Sequence, residues 1–370
     1  MSKSRLYGLD LFRVISVLVV FFFHSRMHLN CEYGILDSFF SMGAIFMTAF
    51  FILSGFVISY TSSADVNVIP FYKKRFIGII PAYWGIGLLF TIYTGIGYFL
   101  LAPDRLSEFF TTSIFLIPIE FLALQSSFST LFAYSHNSGT WFVSCLVFCY
   151  LSFPLFKTII QDLKQKSKVV LLVVLIIILL YAPLVQYVCN TADIYTNVLF
   201  RIIEFCIGML LANIVISKKY KDILCNWMAF TVELIILIIG VSLAKIIGVP
   251  SDYMLYSWCS LPCFMLMIVT LSGIKPNNIL KSKTLAYASQ ISYMYFFAQF
   301  FLWEPLKIVL KYCGLDDYNI IRIITSFIGC IIIAILLHKF MEKPLKRLAT
   351  NLLLNKNSVS NGTNSVNTVA

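Results

Sequence analysis

Charge is scarce in this sequence: Asp, Glu, Lys and Arg make up only 12% of its 370 residues. Soluble domains average about a quarter, so this chain cannot build a water-exposed surface. With 59% hydrophobic residues and a mean hydropathy of +0.87, it requires apolar solvent around most of the molecule. A soluble enzyme, a nucleic-acid binder, a secreted disulfide scaffold and a disordered protein are therefore excluded. The ten cysteines and four histidines show no CxxC or Cys/His ligand spacing, so no metal site is expected. Cys145 with Cys149, and Cys259 with Cys263, sit at helical spacing inside apolar runs, where small polarizable residues serve packing. No signal peptide is expected, because the first apolar run carries Arg13 and lacks a small-residue cleavage site. No internal repeat appears, and no appended soluble domain is expected.

Long apolar runs are what the sequence has in abundance. A hydrocarbon core of about 30 Å needs about 20 residues of helix. Runs of that kind lie near 7–27, 37–60, 77–101, 141–160, 169–188, 198–216, 227–248, 253–272, 287–310 and 320–338. The stretch 107–127 is apolar but holds Glu108, Pro118, Glu120 and Gln125. The net charge of +11 decides whether it crosses, since Lys and Arg favour cytoplasmic loops. If 107–127 is re-entrant and the N-terminus is inside, the cytoplasm collects Lys3, Arg5, Lys73, Lys74, Arg75, Lys157, Lys164, Lys166 and Lys168. It also collects Lys218, Lys219, Lys221, Lys275, Lys281, Lys283, Lys339, Lys343, Lys346, Arg347 and Lys356, bringing the total to 20 of 28 cations. A crossing at 107–127 would invert every later loop. The expected fold is an all-α polytopic membrane protein of about ten transmembrane helices with both termini cytoplasmic. Its membrane domain is assigned to residues 1–348. The remainder, 349–370, is Ser/Asn-rich from about 355 and reads as a polar, disordered cytoplasmic tail.

Ionisable groups within such spans are costly and mark functional sites. The first helix carries Asp10, Arg13 and His24. Asp10 and Arg13 are three apart and can pair. Arg13 and His24 are eleven apart, three turns, so they share a face about 16 Å long. Histidine is the side chain best placed to exchange a proton near neutral pH. His28, one turn further on, reads as interfacial. Ser54-Gly55 in an apolar helix permits close backbone approach. Lys73, Lys74 and Arg75 precede a span expected to break at Pro81. They read as a topology signal that could also hold anionic phosphates. Arg201 and Glu204 form an expected pair, and Glu233, Glu304 and Arg322 are further intrusions. SQISYMYFFAQFFLWEP concentrates Ser289, Gln290, Ser292, Tyr293, Tyr295 and Gln299, so its helix is expected to face a wet cavity.

The order of LDLFR…VVFFFH, FFILSGFVIS, KKRFIGIIPAYW, TWFVSCLVFCYLSFPLF, RIIEFCIGMLLA, QISYMYFF and MEKP resembles the membrane acyltransferase 3 family across residues 5–348. The resemblance implies a bacterial inner-membrane protein of about ten helices that acylates sugars of O-antigen, capsule, peptidoglycan or secreted glycans. Cytoplasmic acetyl-CoA would be a donor substrate, and no cofactor would be bound permanently. Family positions fall on Arg13, His24 and Asp10, on Ser54 and Gly55, on Arg75, on Arg201 and Gly208, and on Glu342. The motif TWFVSCLVFCYLSFPLF contributes Trp141, counted with Arg201, Glu204, Ser292, Tyr293 and Gln299 as cavity residues. Three departures stand out: Gly78 replaces a second arginine, Gln299 a frequent histidine, and Leu146 a frequent glutamate.

Acyl transfer to a hydroxyl needs a general base or a transient acyl carrier, and His24 suits either role. Arg13 would orient it or hold the thioester, Asp10 would fix Arg13, and Arg75, Lys73 and Lys74 would hold coenzyme phosphates. The expected partners are acyl-CoA, a glycan or lipid-linked oligosaccharide, and membrane lipid, with no nucleic acid; self-association into a homo-oligomer stays open. A transporter, flippase or polymerase of lipid-linked glycans, a degenerate homologue and a non-enzymatic scaffold are the competing readings.

Overall fold

The computed structural model describes residues 5–63, 65–127, 136, 138–189, 194–215, 225–248 and 252–354. Every regular element among them is helical, as a bilayer demands, because a helix satisfies its backbone polar groups internally. Helix α1 (Tyr7–Leu29) ends at Asn30, which takes the left-handed conformation at φ 51° that Asn tolerates at helix ends. Short helical turns follow at Gly34–Leu36, Asp37–Phe40 and Gly43–Ile45. The apolar run 37–60 is therefore not one helix; its regular part is α2 (Phe46–Thr61). Then come α3 (Val68–Leu101), α4 (Leu106–Phe121), α5 (Trp141–Asp162), α6 (Gln165–Cys189) and α7 (Val198–Val215). The chain continues through α8 (Trp227–Ile247), α9 (Asp252–Gly273), α10 (Lys283–Tyr312), α11 (Asn319–Leu337) and α12 (Lys343–Leu354).

Among the described residues, seven segments are long and apolar enough to cross a membrane: α1, α2 with its preceding turn, α3, α5, most of α6, α8, and α11 through α12. α10 is absent from that set for the reason its sequence suggests, since its polar side chains face protein; Ser289, Ser292 and Gln299 are all buried. Isoleucines 324, 328 and 332 of α11 are about half exposed, a one-sided stripe suited to lipid. The expected break at Pro81 does not occur, and α3 runs 34 residues through a buried Pro81. The tail boundary also shifts. Residues 349–354 continue α12, with Ala349 buried, because Ala and Leu at helical spacing give that turn an apolar face; the rest of the expected tail, 355–370, and Lys3, Lys218, Lys219 and Lys221 lie outside the described residues.

Two helix pairs form the centre of the bundle, and both are parallel. α1 and α10 pair Arg13 with Ser289 and His24 with Gln299. α2 and α7 pair Thr48 with Arg201 and Ser59 with Asn213. Parallel neighbours must be separated by an even number of crossings, so between the starts of α2 and α7 only four of α2 to α6 can cross. α4 is the one that does not. It returns along α3, and at its end Trp84 Nε1 donates to the Phe121 carbonyl (2.8 Å) while Tyr83 Oη donates to that of Glu120. Tyr83 and Trp84 lie mid-way along α3, so α4 stops part-way.

The α2–α7 crossing has no spare room. A Cβ on Gly55 would lie 1.9 Å from the Phe205 carbonyl oxygen, and one on Gly208 would lie 2.0 Å from that of Ile52. Such small-residue crossings bring backbones close where lipid offers no hydrophobic drive. Gly78 has nothing within 4 Å of a built Cβ. Gly55→Val should therefore lose at least about 3 kcal/mol, the upper range for overpacking. Gly78→Ala should be neutral or gain up to about 1 kcal/mol in helix propensity. Thermal unfolding of the two variants in detergent checks the contrast.

Candidate functional site

The site grows from the α1–α10 seam. Near the Tyr7 end, Arg13 Nη1 donates to Ser289 Oγ (3.0 Å), and Ser289 Oγ donates to Asp10 Oδ1 (2.8 Å). The direct Arg13–Asp10 separation is 3.6 Å, and the other Asp10 oxygen accepts from Arg5 Nε at 2.8 Å. The expected Asp10–Arg13 pair is thus a bridge in which Ser289 is the shared link. One carboxylate holds two cations, so Arg13 is fixed without being neutralised.

Near the Leu29 end, His24 Nδ1 lies 2.8 Å from Gln299 Oε1. Gln299 Nε2 donates to the Tyr295 carbonyl (3.4 Å), which leaves the amide oxygen toward the imidazole. Nδ1 therefore carries the proton and donates it, and Nε2 keeps its lone pair. The rings of Phe300 and Phe296 flank His24 at centroid distances of 5.2 and 6.1 Å. His28 stacks on Trp303 at 5.8 Å. In the last turns of α1, Ser25 Oγ shares a 2.6 Å hydrogen bond with the hydroxyl of Tyr33, and burial pushes this phenol, which lies beyond the span, above its ordinary value. The loop after α1 is thus tied down by a neutral hydroxyl and by the Arg26–Asp37 ion pair (2.8 Å).

A cavity of about 140 Å³ opens between α1, α2, α5 and α10. It has room for about five waters at about 30 Å³ each, too little for a whole nucleotide donor. Arg13, Ser54, Ser292 and Tyr293 supply its polar wall; Phe142, Leu146 and Phe296 supply much of the rest. The Tyr293 hydroxyl is buried without a protein hydrogen-bond partner. Phe296 links the two halves, lining the cavity while touching His24.

Other expected site residues lie elsewhere. Gly55 meets the α7 backbone, so it is a packing residue and lines no cavity; only Ser54 of that pair does. Arg201 and Glu204 are 0% and 1% exposed. Arg201 donates to Glu204 (2.7 Å), to Thr48 Oγ1 (3.1 Å) and to the Tyr195 carbonyl (2.8 Å). Its guanidinium also lies against Phe51, Trp141 and Tyr195. This node, Trp141 included, is sealed off from the cavity, because each element of the cation meets a protein partner. In the cationic run, Lys73 Nζ donates to the Leu353 carbonyl (3.1 Å) and Lys74 is exposed. Arg75 lies over Phe71 and Tyr150 at 5.4 and 5.6 Å. The three do not converge on one point. Ser289 as a bridge, and a polar cluster at His338, went unassigned by sequence; the i,i+4 spacing of His338, Glu342 and Lys346 is the signal that was there to read.

A helical multi-pass membrane protein, with an arginine-lined cavity and an oriented histidine on one helix, is the class these features define. The acyltransferase-domain family profile matches residues 6–339, nearly the whole chain, and the protein belongs to that family. A stretch of 127 residues is 30% identical to "Acyltransferase MdmB" of Streptomyces mycarofaciens. That match covers 33% of this chain and 30% of the relative, so the chain spans under a third of that protein's length. No solved structure matches significantly.

The sealed node gives a stability prediction. Breaking a buried pair from one side costs about 3–5 kcal/mol, whereas replacing both partners by apolar groups is often neutral. Arg201→Met should therefore unfold at markedly lower temperature, and Arg201→Met with Glu204→Leu should recover much of the loss. Melting curves of the purified single and double variants decide it.

Proposed function

We propose that this protein is an inner-membrane O-acyltransferase that moves an acetyl group from cytoplasmic acetyl-CoA to a sugar hydroxyl of a cell-envelope or secreted polysaccharide. The observation that carries the reading is the His24–Gln299 hydrogen bond, since it leaves an unprotonated imidazole nitrogen on the helix that brings Arg13 to the cavity. The family to which the chain belongs supports acyl transfer. The acetyl donor and the glycan acceptor rest on the motif resemblance and on the distribution of cations.

Chemically, His24 Nε2 takes the proton of the acceptor hydroxyl as its oxygen attacks the thioester carbonyl carbon. The carbon–sulfur bond then breaks and the thiolate leaves. Arg13, held by Ser289 and Asp10 about 16 Å along α1 from His24, does not reach that carbonyl; it lends positive charge to the cavity wall along which the donor chain would run. General-base help is typically worth 10²–10⁴-fold in rate. The Tyr293 hydroxyl and Ser292, on the same wall, offer polar contacts for the donor chain. Gln299 acts through His24 and is a positioning residue.

His24→Ala should cut transfer of labelled acetyl from acetyl-CoA to glycan, in membrane vesicles, by at least about a hundredfold with unchanged protein content; near-normal labelling would overturn the role. Gln299→Leu should lose about ten- to a hundredfold, because an unanchored base spends little time in the reactive geometry. Mass spectrometry of glycan from cells with and without the gene reads out the acyl group and its position.

A further inference from the structure

A second polar site lies at the Tyr7 end, where α11 passes into α12. The join is a single π-helical turn, His338–Glu342, an irregularity that recurs at functional sites. His338 and Glu342 are 2% and 3% exposed. His338 Nδ1 donates to Glu342 Oε2 (2.6 Å), and Lys346 Nζ donates to Glu342 Oε1 (2.5 Å). The buried carboxylate is paired from both sides and pins Lys346 to the wall of an open pocket of about 530 Å³. Lys343 and Arg347, four apart on α12, line the same pocket with Gln290 and Thr350. Both cations are exposed, and neither joins an ion pair among the described residues. Three cations thus surround one carboxylate that is already satisfied.

We propose that this pocket is a phosphoryl-anion site that holds the phosphate-bearing end of the coenzyme A donor. The proposal rests on the acyltransferase reading and gives its donor a place that the Lys73–Arg75 run does not provide. The volume falls in the 300–1,000 Å³ range of small-molecule sites, and Arg and Lys together supply the planar fork and the point charge that phosphates take. The pocket also adjoins the catalytic seam. Gln290 directly follows Ser289, the residue that holds Arg13, and Lys73 ties the start of α3 to the end of α12. An anionic lipid headgroup offers the same chemistry. However, Leu348, Leu352 and Leu354, the exposed leucines of α12, are not part of the pocket wall, which is formed by its polar residues.

The test measures binding to the full chain in phosphatidylcholine nanodiscs, with coenzyme A and 3′,5′-ADP as probes. Both should bind, more weakly as salt rises because screening shortens the reach of exposed charges. Lys343→Ala with Arg347→Ala should weaken both at least tenfold, and Lys343→Arg should retain binding. His24→Ala should bind coenzyme A as the unaltered protein does. Unchanged affinity in the double variant, or no binding to the unaltered protein, overturns the site. It is likewise overturned if the double variant loses only its response to added phosphatidylglycerol, which assigns the pocket to lipid. If coenzyme A binds through Lys343 and Arg347 yet no acetyl reaches any glycan, the pocket stands and the acetyl-to-glycan reading falls; the converse result removes the pocket alone.

Discussion

Everything at the site depends on α10 giving polar partners to α1 at two levels of a bilayer that offers none. In hydrocarbon an unpaired charge or amide is expensive, and α1 carries three polar groups that would each bear that cost alone. Ser289 and Gln299, ten residues apart on α10, meet Arg13 and His24, eleven apart on α1. Two helices with nearly matched spacing can satisfy both levels only side by side and parallel. The pairing therefore fixes register, direction and side-chain orientation together. It also keeps Arg13 beside a cavity and gives His24 a defined tautomer.

The parallel arrangement reaches beyond the seam. It ties the direction of the first helix to that of α10, and the α2–α7 pair independently ties two more. Both pairs demand an even count of crossings, and both counts are met when α4 turns back along α3. The cationic loops favour the same arrangement for a separate reason, since charge distribution and helix packing are governed by different physics. Their agreement makes the part-way course of α4 a consequence of the bundle.

The helical spans were legible because a bilayer imposes length and hydropathy on sequence directly. The polar face of α10 was legible too, since Gln299 at mid-span has no place in lipid. Partner choice was not. Asp10 and Arg13 at i,i+3 look like a simple pair, but whether a third residue intervenes depends on α10, some 280 residues away. Ser54-Gly55 reads the same whether it lines a cavity or a helix crossing; the two residues point to different sides, and only the α7 backbone against Gly55 separates them. Arg201 and Glu204 looked like cavity residues because ionisable groups in membranes often are. Aromatic faces and carbonyls instead close over them, and those lie on α2, α5 and the turn before α7. Pro81 looked like a break, yet surrounding helices let α3 run through it.

The departures at Leu146 and Gln299 follow a common logic. Leu146 leaves the cavity wall apolar where a carboxylate would compete with Asp10 for Arg13. Gln299 accepts the imidazole proton with an amide oxygen, which fixes the ring without placing a second charge in a buried, aromatic-lined site. A carboxylate there would hold the ring more strongly but would carry a large desolvation penalty. A second imidazole would leave the tautomer of each ring dependent on the other. A neutral amide, itself braced by the Tyr295 carbonyl, has one favourable orientation. The chain thus concentrates its intramembrane charge near the site on Arg13 and Asp10, and leaves His24 as a neutral ring held in one orientation.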